Sequence, residues 1–228
     1  IAIDIKTLEN GLKSGLLGLT TDLISIWEKA ENINGLEIQD TFETTKKYFD
    51  EVKAKCDIII GIYHGGFECD LETHKILTST SENIACKLCC NFYFDILLTA
   101  HQHNTIPGQY LYNTYVAQLP YNAVKYLELN FKINDDGSKE ISSEIKPVTL
   151  NPQKEMFDKF LPIENNVQEL IDLAIGYLDT SLSPEDHLTM ALNGSLISNF
   201  FNQVQLAEST SDISSICLGN EIKGINKI

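Results

Sequence analysis

Residues 57–63 (DIIIGIY) and residues 95–100 (DILLTA) decide the fold, because each is a short aliphatic run that begins with an aspartate. Runs of this kind are typical of parallel strands that are buried on both faces. Residues 15–20 (GLLGLT) predict a further strand, and helices are predicted over residues 40–55 and around residues 82–91. Strands that alternate with helices predict an α/β layer with a parallel sheet.

The first of these helices has a recognisable start and one buried face. Asp40 is a candidate N-cap, and Glu43 follows three residues later as the second half of a capping box. The residues that recur at helical spacing and predict the buried face are Phe42, Thr45, Phe49 and Val52. We therefore expect this helix to pack against the sheet.

The sequence pattern changes after residue 115. YVAQLP, the alternating residues 123–133, a turn at 134–138 and residues 139–150 predict an antiparallel meander or second sheet that closes a domain near residue 150. Beyond Pro152 the periodicity predicts helices at 164–175 and 195–206, a short turn at 186–190 and a strand at 211–218. Two domains, 1–150 and 151–228, follow from this division.

The composition limits the classes of partner. The 228 residues include 17 basic and 32 acidic side chains, which gives a net charge of -15. A nucleic acid scaffold is therefore excluded as a partner, since binding to a phosphate backbone depends on Lys and Arg. No apolar run approaches the roughly 20 residues that cross a bilayer. The six cysteines are irregularly spaced and leave the redox compartment open.

Histidines follow both aliphatic runs. His64 precedes two glycines after the first run, and His101 and His103 follow the second. The carboxyl ends of parallel strands meet at one edge of a sheet, so the three imidazoles are expected to converge there. Imidazole is a good ligand for Zn, Mn or Fe, and the pattern therefore predicts a metal site. The two remaining histidines, His74 and His187, are expected to be surface residues.

Three other groups of residues are weaker candidates. Residues 86–90 (CKLCC) suggest a zinc site, but cysteines at this spacing also pack on a helix as small hydrophobes, which we favour. Asp70, Glu72 and Glu82 suggest acid and base chemistry, but scattered acids in loops are usually solvated. Trp27 is expected to anchor a loop.

Several longer segments resemble one enzyme family. They are residues 15–49, YHGGFECDLET at 63–73, SEN at 81–83, DILLTAHQHNTIPG at 95–108, IGYLDTSLSPEDH at 175–187 and residues 193–224. In this order they resemble the bacterial 5'-nucleotidase and 2',3'-cyclic-nucleotide 2'-phosphodiesterase family of calcineurin-like metallophosphoesterases. The resemblance implies a layered metallophosphoesterase sheet sandwich, present in part, in residues 1–150. Residues 151–228 would then be a linker helix and the start of an α+β C-terminal substrate-binding domain.

The resemblance also implies a function. It implies hydrolysis of nucleotide or cyclic nucleotide phosphoesters at a centre of two divalent ions, which are Zn, Mn, Fe or Co. By their match to the HGG and GHxH segments, His64, His101 and His103 would be metal ligands. Asn220 falls in a segment similar to the substrate-facing asparagine loop of the family. The usual location of the family is extracytoplasmic, either secreted, periplasmic or attached to the cell wall.

The early motifs of the family have no counterpart in the sequence. These are an Asp-x-His, a Gly-Asp pair and an Asn-His-Glu/Asp that carries the catalytic histidine, so no catalytic residue is expected in this chain. We expect the chain to be part of a longer polypeptide and to be inactive alone. The alternative is a non-catalytic metal-binding or interaction remnant of the same fold. Ala100 also replaces the glycine of the GHxH motif, which is tolerated if its φ is negative.

Overall fold

A computed structural model describes residues 2–174, 176–183 and 185–216 of the chain. The chain divides into two compact units, Ile1–Leu150 and Asn151–Ile228. Each unit has its own hydrophobic core, centred on residues such as Leu17 and Leu97 in the first and on Leu182 and Ile197 in the second.

The first unit is built on a mixed sheet with helices. Its elements in chain order are β1 (Ala2–Thr7), β2 (Lys13–Thr20), α1 (Ile24–Trp27), α2 (Thr41–Lys53), β3 (Ile58–His64), α3 (Ala85–Asn91), β4 (Ile96–Thr99), β5 (Ile106–Leu111), β6 (Thr114–Gln118), β7 (Lys125–Ile133) and β8 (Lys139–Pro147). In the described residues the main sheet has the strand order β1-β2-β3-β4-β6-β5. Strands β2, β3, β4 and β6 are parallel, and β1 and β5 are antiparallel edge strands. The predicted α/β class is confirmed.

The aspartates before the two aliphatic strands join neighbouring strands. Asp57 Oδ2 accepts a hydrogen bond from Lys13 N at 2.8 Å, and Asp95 Oδ2 accepts one from Ile59 N at 2.8 Å. Lys139 of β8 donates to Asp95 Oδ1 at 2.5 Å and to the Asp57 carbonyl at 2.9 Å. The strand starts are therefore held in register by side chains.

Helix α2 forms as predicted. Asp40 Oδ1 accepts a hydrogen bond from Glu43 N at 2.7 Å, which satisfies one of the free N–H groups at the helix start. Thr45, Phe49 and Val52 are buried on the sheet side. Phe49 packs edge-on against Phe94, which precedes β4, with ring centroids 4.9 Å apart. Burial of this face is the main force that holds the helix on the sheet.

Three features of the first unit differ from the prediction. Strand β6 was expected to begin an antiparallel meander, but it pairs with β4 in parallel inside the main sheet and is buried along its whole length. Only β7 and β8 form the predicted antiparallel pair. β1, α1 and β5 were not predicted. The alternation of β6 is too short to show which strand it pairs with, so only long-range contacts decide its direction.

The second unit contains helices α4 (Lys154–Ile171), α5 (His187–Asn193) and α6 (Leu196–Glu208). The α4 helix begins ten residues before the predicted start at residue 164, and it includes Pro162. The predicted turn at 186–190 is the start of α5, with Asp186 as its N-cap.

Ser195 caps α6, so the predicted helix at 195–206 is confirmed. The strand predicted at 211–218 is absent from its described part, residues 211–216. Among the described helices, none is both long and apolar enough to cross a membrane.

Candidate functional site

Two of the predicted histidines meet at the carboxyl edge of the sheet. His64 is the last residue of β3, and His101 follows β4 by two residues. Because β3 and β4 are adjacent and parallel, their ends bring the two rings together, with centroids 5.4 Å apart and planes at 59°. The end of β2 lies alongside, since Thr21 N donates to the His64 carbonyl at 2.9 Å. The site therefore lies where three parallel strands end.

His101 has a partner on each side. Its Nε2 lies 2.9 Å from Glu82 Oε1, and its ring stacks on Trp27 with centroids 5.1 Å apart and planes at 23°. The His101 side chain is 23% exposed and that of Glu82 38% exposed. The sequence predicted that Glu82 is a solvated acid and that Trp27 anchors a loop. The structure places both residues against the candidate ligand.

His103 has a different environment. It is exposed, and its ring packs against Tyr121 with centroids 4.9 Å apart. His101 and His103 both have left-handed backbone conformations, with φ of 71° and 56°. Such conformations are uncommon for residues other than glycine and concentrate at functional sites. Ala100 does not have a positive φ, which explains why alanine is accepted at this position.

The two histidine-bearing loops are joined by one glutamine. Gln102 Oε1 accepts a hydrogen bond from Phe67 N at 2.8 Å, and Gln102 Nε2 donates to the Phe67 carbonyl at 2.9 Å. Ala100 N also donates to the Gly65 carbonyl at 3.0 Å. A Cβ at Gly66 would lie 2.0 Å from Gln102 Oε1, so a larger residue there would force the Gln102 side chain to move. These contacts fix His64 relative to His101.

The segment around Glu82 is tied to both sides of His64. Asn83 Oδ1 accepts from Gly66 N at 2.6 Å, and the Tyr63 hydroxyl accepts from Ile84 N at 3.3 Å and lies 3.4 Å from the Glu82 carbonyl. Burial raises the pKa of Tyr63 strongly, and nearby carboxylates add to this effect. Tyr63 is therefore a neutral hydroxyl whose role is to hold this segment.

A disulfide joins the His64 loop to helix α3. Cys69 and Cys86 are bonded, and Glu68 accepts hydrogen bonds from the backbone of Cys86 at 2.9 Å and of Lys87 at 2.6 Å. The zinc alternative at residues 86–90 is wrong, because Cys86 is oxidised and Cys89 is buried as a small hydrophobe. Burial raises the pKa of Cys89 to about 12.

Two oxygens at the same edge of the sheet have no hydrogen-bond partner among the described residues. They are Asp22 Oδ1, which follows β2, and Gln118 Oε1, which ends β6. Gln118 Nε2 donates to the Ala100 carbonyl, immediately before His101. Buried oxygens without a partner are rare in folded proteins and indicate an unfilled interaction.

Nitrogen and oxygen donors of this kind suit Zn, Mn or Fe, so the residues fit a divalent cation in their chemistry. Within the described part of the chain, however, no three His, Cys, Asp or Glu side chains stand together as a ligand group. A cleft of about 590 Å³ opens beside His64, and both polar and apolar residues line it, among them Thr20, Gln39 and Ile62.

Other sequence candidates lie away from this edge or outside the described residues. Asp70 and Glu72 belong to the loop after Cys69, where hydrogen bonds from Thr73 lower the pKa of Asp70. His74 is exposed and packs against Tyr112. Asn220 lies outside the described residues.

Comparisons with known proteins identify relatives of part of the chain. No protein-family model matches it. The 2',3'-cyclic-nucleotide 2'-phosphodiesterase/3'-nucleotidase of Salmonella typhimurium is 32% identical over 99 residues, which is 43% of this chain and 14% of that protein. The protein of the same name from Haemophilus influenzae is 27% identical over 108 residues, or 47% of this chain and 16% of that protein. The predicted resemblance to the nucleotidase and cyclic-nucleotide phosphodiesterase family is confirmed.

Solved structures share the fold. A Staphylococcus aureus protein assigned as a 5'-nucleotidase, in complex with alpha-ketoglutarate, superposes with a TM-score of 0.80 at 24% identity and covers 99% of this chain and 44% of that chain. The sulfate thiohydrolase SoxB of Thermus thermophilus, in complex with glycerol, gives a TM-score of 0.58 at 14% identity and covers 80% of this chain and 30% of that chain. The chain thus spans less than half of the length of each of these relatives.

Proposed function

We propose that this chain carries part of the active site of a metal-dependent hydrolase of nucleotide phosphoesters, of the 5'-nucleotidase or 2',3'-cyclic-nucleotide phosphodiesterase type. The observation that carries the proposal is the pair of imidazoles of His64 and His101, whose ring centroids lie 5.4 Å apart at the carboxyl edge of the parallel strands. Ligands of open α/β sheets collect at this edge. The names of the curated relatives supply the class of substrate.

In this proposal His64, His101 and His103 are ligands of a centre of two divalent ions. Two close divalent ions, when bound, supply a hydroxide at neutral pH and offset charge on the phosphoryl oxygens. The chain contributes the fixed positions of the imidazoles, through the Gln102 contacts with Phe67 and the Asn83 contact with Gly66. Rigid placement of ligands is what such a centre requires from its protein.

The catalytic histidine and the remaining ligands are assigned to motifs that this sequence does not contain. Residues 1–150 are accordingly the later half of a catalytic domain, and residues 151–228 are a linker helix and the start of a substrate-binding domain. Asn220 is assigned to that domain as a substrate contact. We therefore expect this chain alone to bind a cation but not to turn over substrate.

An extracytoplasmic location is part of the proposal. Disulfides persist in oxidising compartments and are rare in the cytosol, and Cys69 and Cys86 form a buried disulfide. The disulfide supports the location that the family resemblance implies.

Two measurements test the proposed function. Zn²⁺ or Mn²⁺ binding to the purified chain is measured by titration calorimetry, with His64→Ala and His101→Ala as site variants and His74→Ala as the matched control. The proposal expects binding that both site variants weaken and that the control leaves unchanged. Hydrolysis of bis-4-nitrophenyl phosphate is then measured with Mn²⁺ or Co²⁺, and robust turnover by the chain alone would contradict the assignment of the catalytic residues to other motifs.

The second candidate is a non-catalytic remnant of the same fold that binds a cation or a partner. The observation that favours it is the lack of a complete three-residue ligand group in the described part of the chain. The two candidates separate on one experiment. The polypeptide tested also carries the Asp-x-His and Asn-His-Glu/Asp motifs. If it hydrolyses a nucleotide and loses this activity with His101→Ala, the enzyme function is correct. If it binds metal without hydrolysis, the remnant function is correct.

A further inference from the structure

Glu82 is a further residue of the site at the carboxyl edge of the sheet. Its carboxylate lies 2.9 Å from His101 Nε2, and the two residues are 19 positions apart in the sequence. Glu82 is held there by its neighbours, since Asn83 bonds to Gly66 and Ile84 bonds to the Tyr63 hydroxyl. The contact therefore joins one ordered segment to another and is not a chance encounter of two mobile side chains.

The chemistry of the pair assigns the proton. A carboxylate has no proton to give and only accepts hydrogen bonds, so Nε2 of His101 must be the donor. In a neutral imidazole with a proton on Nε2, the lone pair that can bind a cation is on Nδ1. Trp27 stacks on the His101 ring and limits its rotation, so the imidazole keeps its orientation.

We infer that Glu82 is a positioning residue that fixes the Nε2–H tautomer of His101 and leaves Nδ1 as the atom that binds the cation. The inference rests on the proposed function for the identity of His101 as a ligand. Carboxylates that accept a hydrogen bond from a ligating histidine commonly orient the ring and raise its basicity, and their loss costs roughly 10–100-fold in metal affinity. Glu82 thus adds a residue to the site without being a ligand itself.

NMR measures directly which nitrogen of His101 carries the proton. Long-range ¹H–¹⁵N correlations of imidazole are recorded on the ¹⁵N-histidine-labelled chain at about pH 8, where an ordinary imidazole is neutral. The His101 signals are assigned by their loss in His101→Asn. Glu82→Gln preserves the shape of the side chain but, as an amide, both donates and accepts, so it no longer selects one tautomer. Glu72→Gln is the matched control, because Glu72 is exposed and donates its backbone N–H to Asp70 Oδ1, a hydrogen bond that does not involve the Glu72 side chain.

We expect the Nε2–H tautomer of His101 in the wild-type chain and in Glu72→Gln, and a mixture of tautomers in Glu82→Gln. Addition of Zn²⁺ should shift the Nδ1 resonance and leave the Nε2 proton in place. Zn²⁺ affinity should fall about 10-fold in Glu82→Gln, at the lower end of the range for such partners. A merely structural role would not move the tautomer, since glutamine fills the same space.

Three results would overturn the inference. They are a wild-type His101 with its proton on Nδ1, a Glu82→Gln spectrum identical to that of the wild type, or a Zn²⁺ adduct formed through Nε2. If the wild-type chain binds no Zn²⁺ at all, the proposed function fails, and the tautomer measured without metal still decides whether Glu82 positions His101.

Discussion

Reduction of the Cys69–Cys86 disulfide should destabilise the first unit without dismantling the site. The bond closes a loop with a sequence separation of 17 residues. The chain-entropy relation gives about 3 kcal/mol for a loop of this size. Glu68 also connects the loop to α3 through hydrogen bonds to Cys86 N and Lys87 N, and these bonds survive reduction. We therefore expect a lower free energy of unfolding with an unchanged native structure.

The assay is urea unfolding followed by tryptophan fluorescence. Trp27 is the single tryptophan of the chain and lies in the first unit, so its signal reports that unit alone. With a denaturant slope of about 2 kcal/mol per molar urea, a loss of about 3 kcal/mol lowers the midpoint by about 1.5 M. The double variant Cys69→Ala with Cys86→Ala should unfold at a low midpoint with or without a phosphine reductant.

The controls separate the disulfide from the free thiols. Cys90 is free and exposed, so Cys90→Ser should leave the midpoint unchanged under oxidising conditions and should still show the full effect of the reductant. Equal midpoints for the wild-type chain with and without reductant, at the same slope, would refute the reasoning. A changed slope would instead show that the native or denatured ensemble had changed.

Three further predictions concern the joined loops, the α2 cap and the free thiols. Gly66→Ala should destabilise the first unit by about 2 kcal/mol or more, since the new Cβ displaces Gln102 Oε1 from the Phe67 backbone. In urea unfolding, the double variant with Gln102→Ala should lose less free energy of unfolding than the sum of the two single variants. Asp40→Ala should cost about 1 kcal/mol in the same assay, because the Glu43 N–H loses its acceptor, and a neutral result would show that water replaces the cap. Iodoacetamide at about pH 8 should modify exposed Cys90 but not Cys89, because burial raises the pKa of Cys89 to about 12 and the thiol stays protonated below that pH. Mass spectrometry of the native chain measures this, and modification of both cysteines would contradict it.

The parallel strands could be predicted because their signal is local. A continuous aliphatic run after an aspartate is enough to identify β3 and β4, and their carboxylates indeed bond to the neighbouring strands. The direction of β6 was not predictable in this way. Its residues alternate little and are all buried, and a short buried strand has the same sequence pattern in a parallel or an antiparallel pair.

The site residues also divide into those that a local sequence signal predicts and those that depend on long-range contacts. Of the three histidines predicted to converge, His64 and His101 do meet at one edge, because parallel neighbours end together and the residues after them must be close. His103 packs against Tyr121. Glu82 was assigned to solvent, since acids scattered through loops are usually solvated and its contact with His101 depends on the long-range contacts of Tyr63 and Asn83. The disulfide was missed for a related reason, because cysteine spacing does not determine connectivity.

The carboxylates near His64 connect the two ligands of the proposed function, which are the divalent cation and the nucleotide. Burial is the main cause of the raised pKa of Tyr63, and the carboxylates of Glu68, Asp22 and Glu82 raise it further, so negative charge lies near the residue that precedes His64. A negative potential attracts a divalent cation and repels a phosphoester anion. In the proposed function, this edge of the sheet therefore binds a nucleotide only when cationic charge is bound there as well. The nearby carboxylates that favour this cation include that of Glu82, which orients His101.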